Sequence, residues 1–191
     1  MTDSTARDRG GKRDRLIAGA SDLLHRTGVA ATTLAQVAEA ADVPLGNVYY
    51  YFKTKDDLVR AVIDARADQV REMLESLRTR RSPGARVKAL AHQWDEMRDL
   101  VARYGCPFGT LAAELDRRDD GLDRAAAKPI SLILDWTEEQ FRQMGRRDAR
   151  DLAISFFAGI QGAALLANAL REPEIVTGHV RHLERWIDSL A

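Results

Sequence analysis

The sequence predicts an all-α fold of about nine helices: a small three-helix head, a long linking helix and a larger helical body. Three observations carry that prediction. Apolar residues recur at helical spacing along the chain, no segment alternates as a half-buried strand would, and helix-capping residues, glycines and prolines fall between the periodic stretches.

Each element follows in order. Leu16, Ala20, Leu23 and Leu24 line one face of a first helix, which should stop near Gly28, a residue suited to the position just past a helix end. Thr33 opens a short second helix, and Gln36 three residues later completes a T-x-x-Q capping box. Asp42-Val43-Pro44 interrupts it, and Leu45 to Tyr51 form a third short helix. Thr54 caps a fourth, with Asp56 and Asp57 in its dipole-positive first turn. That helix should reach about Arg81, on the order of 40 Å at 1.5 Å per residue. Ser82-Pro83-Gly84 combines a cap, a first-turn proline and a flexible residue, and so divides a head (residues 12–60, with the linking helix running to about 81) from a body (residues 82–191). The body should hold a helix from Pro83 to about Arg103, a break at Tyr104-Gly105, a short helix after Cys106-Pro107, and a longer one from about Gly121 to Met144. Two last helices, near Asp148–Arg171 and Glu174–Leu190, are separated by Pro173.

Composition narrows the function classes. The chain has 191 residues, 45% hydrophobic and 30% charged, ordinary for a globular protein with a real core. No run of about 18 apolar residues is seen, so no membrane span is expected. The first residues lack the apolar core of a secretory signal. One cysteine excludes an internal disulfide and fits a reducing cytosol, so a cytoplasmic location is expected. One cysteine and four scattered histidines make no tetrahedral metal set, and no cofactor is expected. Net charge is zero, from 29 basic and 29 acidic residues, while residues 1–55 hold eight basic and six acidic ones. That asymmetry alone would not indicate nucleic-acid binding.

The segment TTLAQVAEAADVPLGNVYYYFKTKDDL is more informative. Leu34, Val37, Ala38 and Ala41 face inward from a support helix, Val43 and Val48 fill the space beneath, and Phe52 closes it. Asp42 sits where the turn needs a left-handed residue. This is the apolar spacing of a helix-turn-helix, whose second helix enters the DNA major groove. On its outer face stand Leu45, Gly46, Asn47, Tyr49 and Tyr50. Asn47 can pair with an adenine edge, Leu45 can touch a thymine methyl, and Gly46 lets backbone approach the groove. Thr33, Tyr49, Tyr50, Lys53 and Lys55 suit phosphate oxygens. Three consecutive tyrosines point in three directions on a helix, so at least one must face solvent or a ligand.

Residues 12–60 resemble the TetR/AcrR family of repressors, which share a pattern like T-x-x-x-I-A-x-x-A-G-V-S-x-G-x-x-Y-x-Y-F-x-[ST]-K-x-x-L. The matching residues are Thr33, Val37, Ala38, Ala41, Val43, Gly46, Tyr49, Tyr51, Phe52, Thr54, Lys55 and Leu58. Asp42 stands where glycine is usual, and Pro44 where a capping serine is common. The resemblance implies a homodimer on a palindromic double-stranded DNA operator, with a C-terminal body that senses an unidentified small-molecule inducer. It also implies that the last two helices pair with their symmetry mates, with Phe156, Ile160, Leu165, Leu183, Trp186 and Ile187 as interface candidates.

Within the body, Trp94, Met97, Phe108, Leu111, Trp136, Phe141 and Gln161 are the candidates for a ligand cavity, being mostly apolar with a few polar groups. The same residues also describe an ordinary core. Cys106, before Pro107 at a helix start, is a candidate redox or electrophile sensor, because a helix dipole stabilises a thiolate. Free cysteines are more commonly small buried residues. A cysteine-dependent enzyme would need a base and an oxyanion hole that cannot be assembled from this sequence, and a protein-interaction module would leave the groove-facing residues unexplained. No catalytic residues are expected. His25, His92, His179 and His182 read as solvated surface.

Overall fold

The computed structural model describes the backbone of residues 3–190 and the side chains of residues 11–190. Arg7 and Arg9, part of the basic N-terminal count, have side chains outside the described residues, and Ala191 lies beyond them. Among the described residues there are eleven helices and no strands. They are α1 (Asp3–Ala31), α2 (Leu34–Ala40), α3 (Leu45–Tyr51), α4 (Lys55–Leu77), α5 (Pro83–Glu96) and α6 (Arg98–Tyr104), then α7 (Pro107–Leu115), α8 (Leu122–Ala126), α9 (Lys128–Gln143), α10 (Ala149–Leu170) and α11 (Glu174–Asp188).

The two helices beyond the expected count come from splits. The segment expected to run from Gly121 to Met144 breaks at Ala127, and Pro129 sits in the first turn of α9, where its missing N–H is tolerated. The helix expected over 83–103 breaks at Met97, whose backbone (φ −102°, ψ 14°) leaves the helical region. No glycine or proline marks that second break. The linking helix α4 ends at Leu77, a turn earlier than periodicity suggests.

The chain forms two units, and the division is discontinuous. Unit 1 comprises Met1–Arg66 with Thr110–Ala126, and unit 2 comprises Ala67–Gly109 with Ala127–Ala191. Residues 110–126, which follow Ser82 in the chain, thus pack with unit 1. α4 and α7 each run from one unit into the other.

Unit 1 is built around Leu16, Ala20, Leu24, Val37, Val48, Phe52, Val62 and Ile63, joined by Leu111, Leu115 and Leu122 from the distant segment. Within α1, Gly28 adopts φ 82°, ψ 167°, which breaks the helix at the residue expected to stop it. Arg66 is buried and hydrogen-bonds Ser21, through Nε to Oγ (3.3 Å) and Nη2 to the carbonyl (3.0 Å).

Unit 2 packs α5 on α9 and α11, and α10 on α6, α9 and α11. Its core holds Trp94, Phe141, Phe156, Phe157, Ile160, Leu183 and Ile187. This corrects the expected interface set. Phe156, Ile160, Leu183 and Ile187 are 0–4% exposed and face their own core, so they are not available to a partner. Trp186 is half-buried and packs edge-on against Phe141, with centroids 5.9 Å apart. Only Leu165, 69% exposed, stands fully outward, with Ile154, Leu166 and Leu170 exposed on the same helix. With both faces apolar, α10 is long and apolar enough to cross a membrane by length and composition alone, although Ser155, Gln161 and Asn168 keep it from being an unbroken apolar run. Its inner face is core helix: Ala153, Phe156, Phe157 and Ile160 are buried in unit 2.

Candidate nucleic-acid interface

The site grows from local chemistry in unit 1. Thr33, in extended conformation, caps α2 reciprocally with Gln36: the Gln36 N–H donates to the threonine hydroxyl (3.2 Å), and the Thr33 N–H donates to Gln36 Oε1 (2.8 Å). At the other end of α2, Asp42 takes φ 51°. Its N–H donates to the Glu39 carbonyl (3.1 Å) and the Val43 N–H to the Ala38 carbonyl (3.0 Å), the paired bonds of a Schellman ending. An aspartate thus performs the left-handed turn for which glycine is better suited.

Pro44 offers α3 no side-chain cap, but the Asn47 N–H reaches the Pro44 carbonyl at 2.8 Å. Val48 is fully buried and Phe52 is 3% exposed, with the Arg13 guanidinium 5.5 Å from the Phe52 ring centre. These two anchors turn the opposite face of α3 outward. Leu45, Tyr49 and Tyr50 are 42%, 50% and 60% exposed, Gly46 is exposed and Asn47 half-exposed. Tyr51 is half-buried and meets Tyr50 edge-to-face at 5.0 Å. Two of the three tyrosines therefore face solvent, one more than their angular spacing demands.

A Cβ at Gly46 would meet no atom within 4 Å, so the glycine leaves the outer face of α3 bare where the fold has room for a side chain. The other nominated residues sit around α3. Thr33 is exposed. Lys53 Nζ donates to the Tyr49 carbonyl (3.1 Å), and Lys55 Nζ to the Ala30 carbonyl (3.3 Å). Thr54 and Asp57 cap the start of α4 reciprocally, at 3.1 and 3.0 Å.

Sequence reasoning missed the partners that reach this region from residues 114–118. Glu114 accepts hydrogen bonds from the Val29 and Ala30 N–H groups, both at 2.7 Å. Arg118 grips Asp56 with two donors and also pairs with Asp120, which holds the Asp120 carboxyl below its ordinary range. No local pattern marks contacts made across 62 to 85 residues.

In unit 2, Trp94 packs edge-on to Phe108 (6.5 Å) and Phe157 (5.7 Å). The indole nitrogens of Trp94 and Trp136 are buried without a hydrogen-bond partner. Gln161 Nε2 donates to the Cys106 sulfur at 3.3 Å. The other cavity candidates scatter: Leu111 belongs to the unit 1 core, and Phe141 lies against Trp186. A surface groove of about 710 Å³, bordered by Leu77, Pro83, Lys88, His92 and Met144, contains none of the seven nominated residues. Cys106 is 4% exposed, whereas reaction with electrophiles needs an accessible thiol. In this conformation Cys106 is a packing residue, and the sensor reading lacks the exposure it requires.

A capped support helix, a left-handed turn, and a short second helix anchored on one face and bare on the other make a helix-turn-helix, a DNA-binding device. The chain belongs to the tetR family of bacterial regulatory proteins. Residues 16–62 match that family's N-terminal domain, and residues 83–178 match the C-terminal domain of LmrA/YxaF-like transcriptional regulators. The HTH-type transcriptional regulator TtgR of Pseudomonas putida is 26% identical over 93% of this chain and 88% of its own length. A TetR-family regulator from Streptomyces coelicolor has a similar structure, with a TM-score of 0.80 at 22% identity over 95% of this chain and 96% of that one. Another, from Chloroflexus aurantiacus, has a TM-score of 0.84 at 23% identity, with 95% and 96% covered. The protein is therefore a DNA-binding transcriptional regulator.

Proposed function

We propose that the protein is a cytoplasmic homodimeric repressor that binds a palindromic operator and is released by a small-molecule inducer. The observation that carries this reading is the bare face of α3, where Leu45, Tyr49 and Tyr50 are exposed and Gly46 leaves open space. Leu45, Gly46, Asn47 and Tyr49 read base edges, and Thr33, Tyr50, Lys53 and Lys55 hold phosphates. Two such heads on one duplex meet half-sites about 34–36 Å apart, or multiples of that spacing, and so require a symmetric dimer. The exposed Ile154, Leu165, Leu166 and Leu170 on α10 support that dimer as a self-complementary apolar face.

The inducer binds within unit 2 beside Trp94, Met97, Phe108, Trp136 and Gln161. Two buried indole N–H groups without acceptors support a ligand that brings oxygen or nitrogen acceptors into an apolar, aromatic surrounding. Its binding shifts the population towards heads whose spacing no longer fits successive major grooves, with α4 as the lever.

Footprinting on the DNA flanking the protein's own gene, at stated salt, tests the reading. A protected palindrome whose half-sites are one or two helical turns apart is expected. Protection of a single asymmetric half-site would overturn the dimeric arrangement, and no protection at low salt would overturn operator binding there.

A further inference from the structure

We infer that Glu114 and Arg118 are positioning residues for DNA binding, which hold the two ends of the helix-turn-helix and set the place of Lys55. The inference rests on the proposed role of Lys55 as a phosphate contact. Four observations carry it.

The break at Gly28 exposes the next two amides, and Glu114 takes both, one per carboxylate oxygen, at 2.7 Å. A Cβ at position 28 would lie 3.0 Å from Glu114 Oε2, and φ 82° disfavours a side chain there in any case, so glycine leaves the carboxylate its space. Ala30, whose N–H is fixed in this way, offers its own carbonyl, across its Cα, to Lys55 Nζ at 3.3 Å. A path thus runs from the Glu114 carboxylate, through the backbone of one residue, to the Lys55 ammonium. Four residues beyond Glu114, Arg118 closes on Asp56, the neighbour of Lys55, with bonds of 2.9 and 2.5 Å. One short stretch of chain therefore grips the helix-turn-helix just before Thr33 and just after Lys53.

Charged hydrogen bonds to backbone amides are the stronger kind, and a two-donor guanidinium–carboxylate pair fixes direction as well as distance. Both clamps lie outside the residues that would touch DNA. They act by determining where those residues stand, and the consequence is specific: without Glu114, the backbone at Ala30 and Lys55 lose their common register, and one phosphate contact per head is weakened.

The test uses the full-length protein and, as probe, the tightest-bound 30-base-pair duplex that the wild type selects from a random pool. Log affinity is measured against log salt for the wild type, Glu114→Gln, Lys55→Met and the double variant, with active fraction and dimer content determined for each. Glu114→Gln should weaken binding about tenfold and reduce the magnitude of the salt slope by about 0.9 per head, the loss of one phosphate contact. Lys55→Met should show the same slope change, and the double variant should add little to either. A lower melting temperature with unchanged affinity and slope in the active fraction would overturn the inference, as would fully additive effects. Should Glu114→Gln fail to fold, Arg118→Lys, which keeps the charge but not the two-point grip, takes its place; wild-type affinity and slope in that variant overturn the inference. A wild type that selects no duplex overturns the DNA-contact reading itself, which separates the two failures.

Discussion

Leu165 offers a quantitative test of the dimer. It is 69% exposed on α10, so about two-thirds of its surface is left uncovered by its own protomer. Leu165→Ala removes three carbons, worth about 0.8 kcal/mol each when buried. Scaled by the fraction left uncovered, the loss is about 1.5–2 kcal/mol in each protomer. A two-fold interface uses the same patch twice, so the dimer weakens by about 3–4 kcal/mol, a several-hundredfold rise in its dissociation constant. The isolated protomer should lose little stability, because the removed atoms cover little of its own core. Sedimentation equilibrium from nanomolar to micromolar protein, with a parallel denaturation curve, separates the two quantities. A dimer constant within about threefold of the wild type would refute the argument that this face is the interface.

Other predictions follow from single side chains. Phe52→Ala should destabilise the head by about 3–5 kcal/mol, because the ring is 3% exposed at the base of α3; urea denaturation followed by circular dichroism measures this. Burial, and secondarily the neighbouring His182, hold His179 below its ordinary range. Below a pH of about 6.5 the unfolded chain then binds more protons at this site than the folded one, so stability is complete above that pH and falls as the pH drops towards the folded value. His179→Gln should flatten the decline in melting temperature between about pH 7 and 5. Cys106 should react with a maleimide far more slowly in the native protein than in urea, and Cys106→Ser should keep DNA affinity; equal labelling rates in both states would restore the exposed-sensor reading.

What the sequence disclosed about this protein was its local chemistry. The Thr33 cap, the left-handed Asp42, the break at Gly28 and the start of α4 at Thr54 depend on neighbours within a few residues, and all are present. The outward face of α3 was legible for the same reason, since Val48 and Phe52 announce the buried side. The faces of α10 were not, because Phe156 and Ile160 on one side and Ile154 and Leu165 on the other are equally apolar. Helical periodicity has no contrast where both sides are greasy. α11 is clearly amphipathic, but its apolar face turned to its own unit rather than to a partner, a choice that needs knowledge of what packs nearby. Glu114 is an ordinary surface glutamate until the chain folds, and its partners lie 84 and 85 residues away. Pattern reading cannot reach that far without a pairing rule such as a strand register.

The discontinuous unit 1 bears on how such regulators can be recombined. A chimaera spliced at Ser82, joining this reading head to another sensor, would keep Gly28, Lys55 and Asp56 but inherit whatever residues its donor carries at 114 and 118. The graft would look seamless in the linear sequence while leaving the head without its struts. On the proposed roles of Glu114 and Arg118, transplanting the head calls for moving two stretches of chain together, residues 1–66 and 110–126, and the shorter one contains none of the residues proposed to touch DNA.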